Sequence, residues 1–209
     1  VVYNATDYVY PVTTLRHWEN RVKAAPSLFS FSRVPSNVVV HPWPRNPDWL
    51  TSERLVGEAG PLFDLTEFDR LNARLGPTKK VNLILVGFPE GTDSQMGHWQ
   101  EAAWVGGKKN DLVVVFGGMG TARPATWAYA FGWTESALCK RNLESLFISQ
   151  PAGNALLAAV EKEVRMTYQP KDWSKFDYIT VDVPGWSYVV FLLFLGGTQA
   201  GLYVYFHRN

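Results

Sequence analysis

VNLILVGFP, residues 81–89, is the stretch on which the reading of this chain turns. Its core, 81–86, is an apolar run interrupted by Asn82 and bounded by Lys79-Lys80 and Gly87. A run this short, without sustained polar alternation, predicts a strand buried on both faces. DLVVVF at 111–116, closed by Gly117-Gly118, repeats the pattern and predicts a second buried strand. Between the two, 92–105 predicts a helix with Trp99, Ala102 and Ala103 inward. Upstream, Leu65, Phe68, Leu71 and Leu75 recur at helical spacing, with Asp64 or Thr66 as N-cap and Gly76-Pro77 as the stop, so a helix is expected over 65–75. Downstream follow a strand at 127–131, a helix at 137–147 and a longer helix at 153–168 with Leu156, Leu157, Val160 and Val164 on one face. Strands alternating with helices predict an α/β domain over 54–170, a three-layer α/β/α sandwich around a central sheet.

The flanks differ from this domain. Residues 1–53 are rich in proline and aromatics, as in HPWPRNPDW at 41–49, and show little periodicity beyond a short helix at 14–24. They predict an irregular N-terminal arm. The arm has too few aliphatic residues for a core of its own, so Trp43 and Trp49 are expected to dock on another surface, either this domain or a partner. Asn4-Ala5-Thr6 matches a glycosylation acceptor, a pattern short enough to recur by chance. VVYNATDYVYPV at 1–12 has neither a basic stretch nor a long apolar run, as expected of a processed product or of a partial sequence. At the other end, beyond a linker at 171–185, WSYVVFLLFLGGTQAGLYVYF at 186–206 carries no charge. At 1.5 Å per residue it reaches about 31 Å, enough for a hydrocarbon core of about 30 Å. Trp186 and Tyr188 near one end and Tyr203 and Tyr205 near the other suit the headgroup zones. One transmembrane helix is the expectation; a buried core helix, or two strands turning at Gly196-Gly197, is the alternative. Within it Gly197 and Gly201 form a GxxxG, with Gly196 and Ala200 beside it, and Thr198 and Gln199 would seek hydrogen bonds that lipid does not offer. These residues predict packing against another helix.

Composition excludes several functions. Twenty Lys plus Arg against nineteen Asp plus Glu leave a net charge of +1, too little field for general nucleic-acid binding. The single Cys139 rules out an internal disulfide and a multi-cysteine metal site. The four His, at 17, 41, 98 and 207, lack ligand spacing. GGMG at 117–120 follows a strand but lacks the spacing of a phosphate-cradling loop. Cys139 with His98 would make a nucleophile and base only if the fold joined them, and Ser136 lies in TESAL rather than G-x-S-x-G. Lys79-Lys80 and Lys108-Lys109-Asn110 sit at strand entrances, as solvated loop charges or as a docking patch for an acidic partner.

Four segments in order, LVGEAGPLFDLTEFDRLNARL (55–75), VNLILVGFP (81–89), WVGGKKNDLVVVFGG (104–118) and WAYAFGWTESAL (127–138), resemble the TPM-domain family over about 54–168. That resemblance implies a membrane-anchored α/β domain of the kind found in thylakoid-lumen proteins of photosystem II repair, in bacterial membrane proteins and in animal receptor modulators. For some members it also implies calcium binding or acid phosphatase activity. The chain departs from the family's acidic pattern: Gly57 stands where the family opens with Asp, Asn110-Asp111 replaces Asn-Gly, and Lys140 falls near the helix Asp, while Glu58 and Glu135 are kept. Phosphoester hydrolysis or divalent-cation binding needs several oxygens converging on one point. The expectation is therefore a non-enzymatic accessory subunit of an energy-converting membrane complex, with no cofactor, partnered by membrane subunits and the bilayer. A thylakoid membrane with the domain on the lumen side comes first, the mitochondrial inner membrane or a bacterial membrane next. The alternatives are a metal-dependent acid phosphatase using Glu58, Asp64, Asp111 and Glu135, and a transient regulator of another membrane protein.

Overall fold

The computed structural model describes residues 31–44, 53–172 and 185–208. They belong to two units, an α/β domain ending at Asp172 and a C-terminal helical segment. The glycosylation pattern at 4–6, the helix at 14–24, Trp49 and residues 173–184 of the linker lie outside the described residues.

The domain is built on the two apolar runs. β2 (Asn82–Phe88) and β3 (Asp111–Gly117) pair in parallel, Leu83 opposite Leu112 and Val86 opposite Val115. β1 (Leu55–Gly57) adds a parallel edge on β2, and β4 (Trp127–Gly132) runs antiparallel on β3, giving the order β1-β2-β3-β4. Alternation along the strands sorts two cores. Leu83, Leu85, Leu112, Val114 and Phe116 face one side, where α2 (Leu65–Lys79), α4 (Ala137–Ser149) and α5 (Asn154–Thr167) cover them. Ile84, Val86, Phe88, Val113, Val115, Trp127 and Phe131 face the other, against Trp104 at the end of α3 (Gln95–Ala103) and Trp43. The result is the three-layer α/β/α arrangement.

Two short elements precede α2: β1, and the single turn α1 (Ala59–Leu62). The Asp64 carboxylate caps α2 by accepting from the Glu67 amide at 2.8 Å. Gly76-Pro77 does not stop this helix. Pro77 lies in its last turn, and the chain leaves only at Lys80, whose φ of 55° forms a left-handed cap donating to the Gly76 carbonyl. The inward stripe of α3 also differs from expectation. Gly97, Gln100 and Trp104 are buried, Trp99 is half-buried and Ala103 exposed. Gly97 sets this rotation: a Cβ there would lie 2.6 Å from Tyr129 Cβ, so the bare backbone packs directly on β4.

Two buried side-chain amides fasten the layers. Asn72 of α2 accepts from the Leu83 amide at 2.7 Å and donates to the Leu83 carbonyl at 3.2 Å, serving β2 just beyond the end of short β1. Gln100, with no exposed surface, accepts from the His41 amide at 2.9 Å and donates to the His41 carbonyl at 3.0 Å. Trp104 Nε1 donates to the same carbonyl at 2.9 Å, and Trp43 packs 4.8 Å from the Trp104 ring. Of the two surfaces open to the arm, the one that Trp43 occupies is the domain's own sheet.

Candidate functional site

α6 (Gly185–Arg208) is a 24-residue helix whose stretch Gly185–His207 is long and apolar enough to cross a membrane. Its side chains from 188 to 207 are all exposed, so its apolar surface is not spent on a protein core. A Cβ placed at Gly196, Gly197 or Gly201 would meet nothing within 4 Å, leaving a shallow face open to a neighbour. Of the two polar residues of the span, Thr198 differs from expectation. Thr198 Oγ1 donates to the Leu195 carbonyl at 2.8 Å, so its hydroxyl is satisfied within the helix. Gln199 lies about 200° around the helix from Gly197 and about 60° from Gly196, so a neighbour seated on Gly197 and Gly201 does not engage it.

The four candidate carboxylates separate into two pairs. Glu58 follows β1, with its amide donating to the Gly87 carbonyl at 3.0 Å, and Asp64 caps α2; both lie at the C-terminal end of β2 and β3. Asp111 opens β3 and Glu135 follows β4, at the opposite end of the sheet. Seven strand residues separate those ends, about 20 Å. Asp111 is itself buried, accepting from Asn82 Nδ2 at 2.9 Å and the Lys108 amide at 2.8 Å. Among the described residues no three His, Cys, Asp or Glu side chains form a metal-holding group.

Position 57 has no room for a carboxylate or any other side chain. Its φ is +61°, and a Cβ would lie 2.5 Å from both the Gly87 carbonyl oxygen and His41 Cε1, so the arm occupies the space a side chain would need. The other candidates have structural employment. Ser136 caps α4 by accepting from the Cys139 amide at 3.1 Å. Cys139 is buried among α4 and α5 residues, where burial pushes its thiol pKa up, while His98 is exposed on α3 across the sheet, 4.3 Å from the Tyr129 ring. Gly118 has a φ of +66° and its amide donates to the Phe88 carbonyl, so GGMG is a turn into the loop before β4, with no helix behind it. Lys140 is half-buried on α4. Lys79-Lys80 and Lys108-Lys109 come together at the N-terminal end of β2 and β3, where the Asn82 amide donates to the Asn110 carbonyl at 2.8 Å.

Gln100, His41 and Asn72, which fix the arm to α3 and α2 to the sheet, are the residues that sequence reading passed over. The available signal was the spacing of Gly97, Gln100 and Trp104, one helical stripe with a polar residue at its centre. Comparison with protein-family models, curated proteins and solved structures returned no match.

Proposed function

We propose that this chain is a membrane-anchored, non-catalytic accessory subunit of a larger energy-converting complex. The observation that carries this reading is α6: an exposed, membrane-length apolar helix with an open face at Gly196, Gly197 and Gly201. Such a face gains most from close approach of a second helix, because lipid chains fill it poorly. Separation of the four carboxylates across the sheet favours a scaffolding domain over a phosphatase. The TPM-like segments favour a photosynthetic complex in a thylakoid membrane, with the domain on the lumen side; a respiratory complex of the mitochondrial inner membrane, or a bacterial membrane, comes next.

Purification of the tagged full chain from its native membrane in mild detergent, with mass spectrometry of the co-purifying proteins, tests the proposal. Stoichiometric recovery of photosystem or respiratory subunits is the expected result. Recovery of the chain alone overturns the accessory-subunit reading, and its appearance in the aqueous fraction overturns the anchor.

A further inference from the structure

Among its described residues the α/β domain is electrically polar along its strands. At the C-terminal end of β2 and β3, the exposed Glu58, Asp64, Glu90 and Asp93 outnumber Arg123, which is held by Glu90 at 2.6 Å. At the N-terminal end the balance reverses. Lys79 and Lys80 close α2, Lys108 and Lys109 precede β3, and Lys171 follows α5, with its amide donating to the Trp133 carbonyl. Among the described residues the exposed carboxylates at this end are Glu53, Glu135 and Asp172, and Asp111 is buried in its own hydrogen bonds.

The loop carrying Lys108 and Lys109 has a second unusual feature. Val105, Gly106 and Gly107 all have left-handed backbones, with φ of 52°, 73° and 84°. A β-branched residue rarely adopts this conformation. Four bonds hold it: the Val105 amide to the Ala102 carbonyl, the Gly106 amide to the Glu101 carbonyl, the Gly107 amide to the Trp104 carbonyl, and Trp133 Nε1 to the Gly107 carbonyl. The outcome is an apolar Val105 side chain left 43% exposed beside two lysines, with Lys108 Nζ lying 4.9 Å over the half-buried Trp43 ring. An apolar tip flanked by ammonium groups fits the bilayer headgroup zone, where the tip meets acyl chains and the cations meet phosphates.

We propose that this basic end of the domain, centred on Val105, Lys80, Lys108 and Lys109, docks on anionic lipid headgroups. The chain leaves the domain at this end, and residues 173–184 tether Asp172 to α6 over at most about 45 Å of covalent reach. The proposal rests on the reading of α6 as an anchor, which turns lipid contact into an intramolecular event at high effective concentration. Even an attraction of roughly fivefold per lysine then suffices to hold the surface down.

The full chain, reconstituted in lipid nanodiscs of phosphatidylcholine or of phosphatidylcholine with about a third phosphatidylglycerol, tests it by amide hydrogen exchange. Exchange over 105–111 is expected to slow severalfold in the anionic discs, to recover at 0.5 M salt, and to recover in Lys80→Glu/Lys108→Glu/Lys109→Glu. Exchange at 90–93 is expected to be the same in both discs. The salt arm uses the unaltered chain, so the test survives a variant that folds poorly. Equal exchange over 105–111 in both discs overturns the proposal, and is the result expected if the lysines bind an acidic protein instead. A chain that elutes without lipid overturns the anchor itself, and with it the docking.

Discussion

Gln100 has no exposed surface, and both ends of its amide are taken by the backbone of His41. A side chain thus does the work of a strand neighbour for a residue 59 positions earlier. Gln100→Leu keeps the volume and removes the bonds. The His41 amide is orphaned, while its carbonyl keeps the Trp104 indole. A buried donor without a partner costs about 1–3 kcal/mol. The expected outcome is a loss of that size in chemical denaturation, with faster hydrogen exchange over 38–44; unchanged exchange there would show that Trp43 packing alone holds the segment. Periodicity could place Gln100 on the stripe of Gly97 and Trp104 but could not name its partner, because the His41 backbone comes from 59 positions away. Nothing in the local sequence marked Gly57; its reason, a left-handed backbone under His41, depends on a contact between distant segments.

Among the elements, the long ones were legible and the short ones were not. β2, β3, β4, α4 and α5 emerge within a few residues of their expected bounds, because each has enough apolar positions to set a period. β1 has three residues and α1 four, too few to carry one. α2 outran its proline: Pro77 forfeits one bond, and only two residues follow it before the Lys80 cap, whose amide donates to the Gly76 carbonyl. α2 and α5 are joined by Arg74, whose guanidinium donates to both Glu161 oxygens at 2.6 to 3.1 Å, with Arg165 donating to Glu161 from the next turn. These bonds, that to Arg74 first, hold the Glu161 carboxyl below its usual value of 4.5. A depressed folded-state pKa contributes stability that is complete above about pH 4.5 and is lost as pH falls through the folded value. The contribution is on the order of 1 kcal/mol after solvent screening. Glu161→Gln should therefore lower the melting temperature at pH 7 and leave it nearly unchanged at pH 2. In α6, Gly197→Leu/Gly201→Leu should release the protein from its complex while leaving it in the membrane, and Gln199→Leu, on the opposite side, should not. Retention of the glycine variant in a native gel would remove helix packing from the account.

At the scale of the whole molecule, net charge concealed what placement reveals. A balance of +1 excluded nucleic acid but not a polar distribution, since the sign of each end depends on which loops the topology gathers there. Strand direction does the gathering: parallel β1, β2 and β3 put the loops before them at one end and the loops after them at the other. The same topology kept Glu58 and Asp64 from Asp111 and Glu135, a separation that a list of carboxylates cannot show. The arm has a further consequence, for the order of assembly. Its bonds at His41 go to Gln100 and Trp104, on a helix that has no seat until β3 and β4 have paired. Residues 38–44 therefore join a finished platform, late on the folding path, and closing so long a loop comes after the barrier rather than before it. In a chevron plot, Gln100→Leu should steepen nothing and leave the refolding limb in place; its whole effect should fall on the unfolding rate. The segment acts as a latch: it sets how long the folded domain lasts, not how quickly it forms.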